Sequence, residues 1–229
     1  MDFATMGRNI VSIWAKYWDK FLIQGMEYTL SLAAIAVVFG TIIGALLALM
    51  KMSRIKPLNW LAGIYTGIIR GTPMLLQLYF FYFILPMLIP ALNKQQYICI
   101  AIALLCNSAA YVSEIIRSGI QAVDIGQTEA ARSLGMNGTL TMTQVILPQA
   151  IKNILPALGN EFIMLVKDTS LASTFFIGDI TTQYLLIKGT TYLPIEPLVI
   201  AGILYLILTS ILNFVLGFFE RRMRRGDIR

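Results

Sequence analysis

Residues 124–148 read DIGQTEAARSLGMNGTLTMTQVILP and form a polar interval between long apolar runs. From Gln127 to Leu134 this interval consists largely of good helix formers, with small alanines on one side. Gly135 follows, and glycine suits the left-handed backbone conformation that commonly ends a helix. The interval therefore predicts a short helix whose small-residue face can lie close against another protein. The alternative interpretation is an ordinary amphipathic connector.

The composition of the whole chain is that of a polytopic membrane protein. Of the 229 residues, 57% are apolar and 13% are charged, and the mean hydropathy is +0.73. Such a chain is too apolar for a soluble domain with a solvated surface. It contains no histidine, which excludes histidine metal sites and histidine general bases. The basic cluster ERRMRR at 220–225 indicates a cytosolic anchor rather than a nucleic-acid surface, because no aromatic-interleaved basic surface accompanies it.

Five segments are long and apolar enough to cross a membrane, at about 20 residues each. A shorter apolar helix at 58–69 precedes the second segment. The intervening Arg70-Gly-Thr-Pro73 predicts a kink or a two-part helix, because proline interrupts helical hydrogen bonding. A six-span arrangement stays open as the alternative. The five segments are 29–50, 74–92, 97–116, 154–176 and 198–219.

The distribution of Lys and Arg predicts the orientation of these segments. Short cytoplasmic loops carry an excess of basic residues, so the more basic side should be the cytosol. We therefore expect the N-terminus outside, the C-terminus inside, and residues 124–149 in the cytosol. The residues on the predicted cytosolic side are Lys51, Arg54, Lys56, Arg117, Arg132, Lys152, Arg221, Arg222, Arg224, Arg225 and Arg229. Those on the opposite side are Arg8, Lys16, Lys20, Lys94 and Lys188.

The chain divides into three parts on this reading. Residues 1–24 form an N-terminal segment in which Trp14, Tyr17 and Trp18 stand among charged residues. Such a mixture is typical of a helix that lies flat at the outer interface of a membrane, with a partly ordered tail as the alternative. Residues 25–220 form the transmembrane domain with its loop at 124–149. Residues 221–229 form a basic cytoplasmic tail.

The stretch Glu129-Ala-Ala-Arg-Ser-Leu-Gly135, followed by Val145-Ile-Leu-Pro148, resembles the EAA loop of ABC-type importer permeases. In that family the pattern is Glu-Ala-Ala, three residues, Gly, nine residues, Ile, one residue, Leu-Pro. Only Val145 departs from it, conservatively. Three further stretches resemble the polar amino acid branch of these permeases, which includes histidine and glutamine importers. They are RGTPMLLQL at 70–78, AYVSEIIRSGI at 110–120 and GNEFIMLVKDTS at 159–170.

The resemblance implies an all-α membrane protein with the type I ABC importer permease fold, about five transmembrane helices and a cytoplasmic coupling helix. It implies a multi-pass protein of the bacterial cytoplasmic membrane that performs no covalent chemistry. The chain has no Gly-x-x-x-x-Gly-Lys-Ser/Thr phosphate cradle, so ATP chemistry must come from another polypeptide. The residues implied to couple to that ATPase are Gly126, Glu129, Ala130, Ala131, Leu134 and Gly135.

The resemblance also implies the partners of the chain. These are two cytosolic ATPase subunits that bind ATP and Mg, an extracytoplasmic amino-acid-binding protein, and either a second copy of this chain or a paralogous permease. The substrate would be a polar or charged amino acid. The chain itself would bind no cofactor and no nucleic acid, and would lie in the lipid bilayer.

Charged side chains inside the fourth apolar segment mark a candidate substrate path. Glu161, Lys167 and Asp168 would each cost about 2.5 to 3.5 kcal/mol at a helix centre without compensation. Glu161 and Asp168 are seven residues apart and share one helix face, while Asn160 lies on the adjoining face. The two carboxylates are candidates to bind the ammonium or a basic side chain of an amino acid. The alternative is that they pair with Lys167, Arg70 or a facing helix.

Other polar residues in the apolar segments are candidates to line the same path. The resemblance favours Thr72, Gln77, Asn107 and Ser108. The alternative is that they make interhelical hydrogen bonds, each contributing about 0.6 kcal/mol. Glu114 and Arg117 lie three residues apart, so we expect a local ion pair rather than ligands.

Two functions from other classes compete with the ATP-driven importer. A gradient-driven carrier or channel would use Glu161 or Asp168 to take a proton or sodium ion. The sequence shows no inverted repeat, which weighs against this, and the EAA loop has no role there. An intramembrane hydrolase would need a nucleophile and a base, and no histidine and no convincing Ser-Lys or paired-Asp arrangement is present.

Overall fold

The computed structural model of the chain describes residues 3–224, and these residues are almost entirely helical. The predicted all-α class is confirmed. Residues 225–229 of the predicted basic tail lie outside the described residues. The α-helices are α1 Phe3–Asp19, α2 Met26–Met52, α3 Lys56–Gly71, α4 Met74–Leu88, α5 Gln96–Gln121, α6 Ile125–Ser133, α7 Gly138–Thr141, α8 Leu147–Asp168, α9 Ile180–Thr191 and α10 Glu196–Arg224.

Three helical stretches between residues 3 and 224 are long and apolar enough to cross a membrane. They are Phe3–Met52, in which a π-helix at Lys20–Gly25 joins α1 to α2, then α5, and Glu196–Met223 of α10. The pair α3 and α4 qualifies together as a fourth, broken span. α8 has 22 residues but is not among them. The count of five predicted spans therefore depends on α8 and on the broken pair.

The predicted break at 70–73 is present. α3 ends at Gly71 and α4 begins at Met74, with Thr72 between them in an extended conformation at φ −118° and ψ 145°. Proline disfavours the helical conformation in the residue that precedes it and lacks a backbone N–H. Pro73 therefore separates two helices that are otherwise continuous in apolar character.

The ends of the fourth and second predicted spans differ from the structure. α8 begins at Leu147, earlier than predicted, and ends at Asp168, where a 3₁₀ helix at Thr169–Phe175 replaces the expected continuation. Lys167 and Asp168 therefore lie in the last turn of α8 and not near the middle of a span. α4 likewise ends at Leu88, two residues after Pro86. Hydrophobicity placed the ends of both segments too late in the chain because it does not mark where a helix stops.

The chain forms two compact units. The first contains the described residues of Met1–Ala36, together with Pro73–Leu105 and Ile163–Leu212. Its core is an apolar cluster contributed by α1, the π-helix after it, α9 and α10. The buried members of this cluster are Ile13, Phe21, Ile180, Ile187, Ile200, Ala201 and Leu204.

The second unit contains Val37–Thr72, Cys106–Phe162 and the described residues of Asn213–Arg229. Here α2 packs closely against α5 through two glycines. A Cβ at Gly40 would lie 2.8 Å from Ser108 Cβ, and a Cβ at Gly44 would lie 2.8 Å from Val112 Cβ. Small residues allow helix backbones in membranes to approach in this way.

α9 was not predicted from the sequence. Its N-cap is Asp179, which is fully buried and accepts hydrogen bonds from Thr181 N at 2.9 Å and from Thr182 Oγ1 at 2.5 Å. Burial raises the pKa of the Asp179 carboxyl, and these hydrogen bonds oppose that rise. An N-cap aspartate is a recognisable start signal, but the short polar stretch after it carries no clear apolar period.

A candidate ATPase-coupling loop and substrate path

α6 is a short helix with a defined cap at each end. Its N-cap Asp124 accepts a hydrogen bond from Gly126 N at 2.6 Å. At the other end Gly135 has φ +86°, Gly135 N donates to Arg132 O at 3.0 Å, and Met136 N donates to Ala131 O at 3.1 Å. These two bonds form a Schellman motif, which needs a left-handed residue. The predicted short helix and its glycine stop are confirmed.

One side of α6 is anchored and the remainder is exposed. Ala131 is buried, whereas Glu129 and Ala130 are exposed. The two ends carry exposed apolar side chains, since Ile125 is 74% exposed and Leu134 is 84% exposed. A helix with small and charged residues between two exposed apolar ends is a surface suited to contact with another protein.

The second half of the motif has a different place. A π-helix at Met142–Ile146 leads into α8, so that the stretch from Val145 to Pro148 spans the junction between this π-helix and α8 and does not lie on α6. Gln149 Nε2 donates to Val145 O at 2.9 Å and to Gln127 Oε1 at 3.3 Å. A hydrogen bond between residues that flank the two halves of the motif therefore links α6 to the first turn of α8, the helix that also carries Glu161.

A network of three cations around Glu114 holds the helices that precede the loop. Glu114 accepts from Arg117 at 2.7 and 2.9 Å and pairs with Lys51 through Oε1, while Arg70 Nη1 lies 3.9 Å from Oε1. Lys51 Nζ also donates to Thr66 Oγ1 at 3.1 Å. The predicted pair of Glu114 and Arg117 is confirmed, but the sequence did not reveal that Lys51 and Arg70 join it.

The sequence left open that Arg70 pairs with Glu161 or Asp168, but the contacts described for Arg70 are with other residues. Its described contacts are the ion pair with Glu114 and a position over the ring of Tyr111, at 5.4 Å from guanidinium carbon to ring centroid. The same guanidinium can make the cation–π contact and the long ion pair because it is planar and forked. Arg70, three residues before Pro73, is thus bound to α5 at Tyr111 and Glu114.

The candidate path residues fall into two groups by exposure. Asn107 and Ser108 are buried on α5, and Gln77 is buried on α4. Ser108 packs against Gly40, and its Oγ has no hydrogen-bond partner within residues 3–224. Thr72 is exposed and donates from Oγ1 to Ile68 O at 2.9 Å. Their role in a path stays a prediction.

α8 presents a row of polar residues that we call the polar stripe. Asn153, Asn160 and Lys167 recur every seven residues and are all exposed, while Glu161 and Asp168 lie half-buried beside them. Exposed amide and ammonium groups would lose their hydrogen bonds with water in contact with lipid, which is unfavourable. The polar stripe therefore faces water or another protein surface.

Comparison with known proteins decides what kind of protein carries this loop. Residues 40–225 match the family described as the inner membrane component of binding-protein-dependent transport systems. The chain belongs to this family. It is 42% identical over 207 residues to the arginine transport system permease protein ArtQ of Bacillus subtilis, covering 90% of this chain and 94% of that one. It is 42% identical over 203 residues to a putative glutamine transport system permease protein GlnP of Rickettsia bellii, covering 89% and 93%.

Solved structures agree with this assignment. The crystal structure of an amino acid ABC transporter with histidines contains a chain that matches with a TM-score of 0.84 and 43% identity, over 97% of this chain and 99% of that chain. An inward-facing structure of the MetNI methionine ABC transporter matches with a TM-score of 0.69 and 19% identity, over 90% and 97%. The second likeness shows the fold alone.

Family membership confirms the main functional prediction. A binding-protein-dependent inner membrane component is the membrane-spanning subunit of an ATP-driven importer, is not itself an enzyme, and works with a separate ATPase and a substrate-binding protein. The type I importer permease fold is confirmed as well. The gradient-driven carrier, in which Glu161 or Asp168 would take a coupling ion, is not supported.

Replacing Glu114 with Gln should destabilise the inner membrane component. The Lys51 and Glu114 side chains are only 18% and 16% exposed, so the change leaves the mostly buried Lys51 ammonium without its carboxylate, whereas Arg117 and Arg70, at 33% and 44% exposed, can reach water. Loss of one partner of such a pair costs on the order of 3 kcal/mol. Thermal unfolding of the purified protein should show a clearly lowered midpoint for Glu114→Gln.

Two further variants make that measurement specific. Arg117→Gln should lower the midpoint less, because Arg117 is more exposed and Lys51 still pairs with Glu114. Arg54→Gln removes an exposed charge and should leave the midpoint unchanged. An unchanged midpoint for Glu114→Gln would show that the network contributes nothing to stability.

Proposed function

We propose that this importer subunit transports polar or charged amino acids. The observation that carries the proposal is the pair of carboxylates, Glu161 and Asp168, beside the polar stripe of α8. The names of the relatives support it, since they include arginine and glutamine transport permeases, and so does the amino acid transporter solved with histidines. Transfer to this chain rests on 42–43% identity over most of its length.

Glu161 is the stronger candidate to bind the substrate. A carboxylate that accepts hydrogen bonds from an ammonium or guanidinium forms a charge-assisted contact, which is about twice as strong as a neutral hydrogen bond. The ammonium of the adjacent Lys167 competes with the substrate for the Asp168 carboxylate. Asn160 is exposed next to Glu161 and supplies an amide that can bind the carboxylate or side chain of an amino acid.

The polar stripe also supports assembly with a second permease chain. It is exposed on the single chain, and a paired copy or a paralogue facing it would enclose a polar path between the two. Each permease would present one α6, so that a pair would engage two ATPase subunits. In this arrangement ATP and Mg are bound by the ATPase subunits, and each α6 would contact one of them through Gly126, Glu129, Ala130, Ala131, Leu134 and Gly135.

The side of the membrane follows from the same arrangement. α6 and the network around Glu114 would lie in or next to the cytosol, together with Lys51, Arg70 and Arg117. The N-terminus would lie outside, on the side where the binding protein delivers the amino acid. Closure of the two ATPase subunits on ATP would move α6 and, through the contact of Gln127 with Gln149, the start of α8.

Substrate class is tested by uptake into proteoliposomes that contain the permease with its ATPase, with the binding protein outside and ATP inside. A panel of labelled arginine, histidine, glutamine and leucine separates the possibilities. We expect uptake of at least one of the first three and none of leucine, since an acidic and polar path gives leucine's side chain no partner. Uptake of leucine alone, or of no amino acid by a complex whose ATPase responds to its binding protein, would contradict the proposal.

A further inference from the structure

α1 carries three different surfaces along its length. Its inner surface is formed by Ile10, Ile13 and Tyr17, which pack into the apolar cluster shared with α9 and α10. A polar surface contains Arg8, Ser12 and Lys16. Between the two lies an apolar surface that no described residue covers. We call it the outer apolar face, and it consists of Phe3, Val11, Trp14 and Trp18.

The side chains of the outer apolar face remain exposed, because no packing within the described residues buries them. Phe3 is 82% exposed and Val11 is 68% exposed, and both tryptophans remain exposed although α1 is otherwise packed against the core. On a helix of 3.6 residues per turn these side chains fall on one side. Their burial against a partner would therefore need no rearrangement of the inner surface.

The structure fixes the depth of α1 relative to the membrane-spanning α10. Asn9 Nδ2 donates to Glu196 Oε1 at 3.0 Å, and Glu196 is the first residue of α10. A helix that crosses a bilayer usually has its charged end residues at the boundary with the headgroups. The middle of α1 is thereby held at the level at which α10 enters the bilayer.

α1 is also not needed to complete a span. It is continuous with α2 through the π-helix at Lys20–Gly25. The 27 residues of α2 extend about 40 Å, which already exceeds the roughly 30 Å of hydrocarbon in a bilayer. π-helical turns are places where long helices bend, so α1 can leave the direction of α2.

We propose that the outer apolar face of α1 lies in the interfacial layer of the bilayer and binds phospholipid. Tryptophan is favoured at this depth because one end of its ring system is apolar and the other donates a hydrogen bond. Arg8 borders the face and matches the negative charge of lipid phosphates. α1 and α2 form one helical stretch that is apolar enough to cross a membrane, and this makes phospholipid the occupant of the face rather than a soluble partner. The inference is independent of which substrate is carried.

The tryptophans of the chain allow a direct test. The sequence contains three, Trp14 and Trp18 on α1 and Trp60 on α3. A Trp60→Phe variant of the full-length chain leaves only the two α1 tryptophans as fluorophores. It is reconstituted in phosphatidylethanolamine and phosphatidylglycerol vesicles doped with phosphatidylcholine that is brominated either near the top or near the end of its acyl chains. A chain with all three tryptophans replaced by Phe gives the background.

We expect the α1 tryptophans to lose most of their fluorescence to lipid brominated near the top of the chain and little to lipid brominated near its end. Acrylamide in the water should quench them weakly. Strong quenching by acrylamide with none by either lipid would place α1 in water and overturn the proposal. The tryptophans could also escape quenching by brominated lipid at every depth and become quenched once the binding protein is removed or a paired copy dissociates. That result would assign the face to a protein partner instead.

The test does not depend on a variant that is expected to misfold. Trp60→Phe is conservative, and Trp60 belongs to neither the coupling loop nor the polar stripe. A second variant, Val11→Asn with Trp60→Phe, should weaken quenching by lipid brominated near the top while ATP-driven uptake continues. Unchanged quenching in that variant would show that Val11 is not part of the lipid-contacting surface and would contradict the face as defined.

Discussion

Glu161→Gln should reduce ATP-driven uptake about 10- to 100-fold, since a charge-assisted hydrogen bond contributes about 1.5 to 3 kcal/mol and each 1.4 kcal/mol is a factor of about ten. The substitution keeps the shape of the side chain and removes only its charge. Assembly with the ATPase and basal ATP hydrolysis should be retained, because Glu161 lies on α8 away from the exposed α6. The measurement is initial uptake rate against ATPase rate in the same proteoliposomes.

Matched variants decide whether the charge acts on the substrate. Glu27→Gln makes the same chemical change at an exposed position in the first turn of α2 and should leave uptake unchanged. Asp168→Asn should cause a smaller loss than Glu161→Gln, because Lys167 competes for the Asp168 charge. Normal uptake by the Glu161→Gln protein would refute the role given to this residue, and equal losses of uptake and assembly would make it structural.

Gly135→Val should uncouple ATP hydrolysis from uptake. Gly135 has φ +86°, a conformation that costs a non-glycine residue roughly 1–2 kcal/mol and a β-branched residue more. Valine would therefore break the Schellman motif and displace Leu134 from the end of α6. We expect normal insertion in the membrane, ATP hydrolysis that no longer responds to the binding protein, and little uptake.

Two control positions make this outcome interpretable. Gly138→Val places the same side chain three residues later, where a Cβ meets nothing within 4 Å and the glycine does not have a positive φ, and it should retain coupling. Gly135→Asn should retain part of the activity, because asparagine tolerates the left-handed conformation. Coupled uptake by Gly135→Val at the normal rate would remove α6 as the coupling element.

The features that the sequence predicted well are local. α6, its glycine stop and the break at Pro73 each depend on neighbouring residues and on backbone chemistry that a few side chains decide. The pair of Glu114 and Arg117 is separated by a single helical turn and was predicted for the same reason. Local physics acts over such distances whatever the remainder of the chain does.

The features that escaped prediction depend on tertiary structure. Lys51 lies 63 residues from Glu114, and no pattern in the sequence indicates that α2 and α3 bring Lys51 and Arg70 to the end of α5. The end of α8 at Asp168 was missed because the apolar run continues past it into a 3₁₀ helix. Exposure of the polar stripe likewise required the packing of the whole chain.

The central claim is that ATP hydrolysis by a separate subunit drives import through this chain. The most direct test is accumulation of amino acid in proteoliposomes with no imposed ion gradient, with ATP on the side of α6 and the binding protein on the other side. The account predicts accumulation above the external concentration that stops when ATP, the ATPase or the binding protein is withheld. Uptake that is driven by a proton or sodium gradient and persists without the ATPase would contradict it and would recast Glu161 and Asp168 as ion-coupling groups.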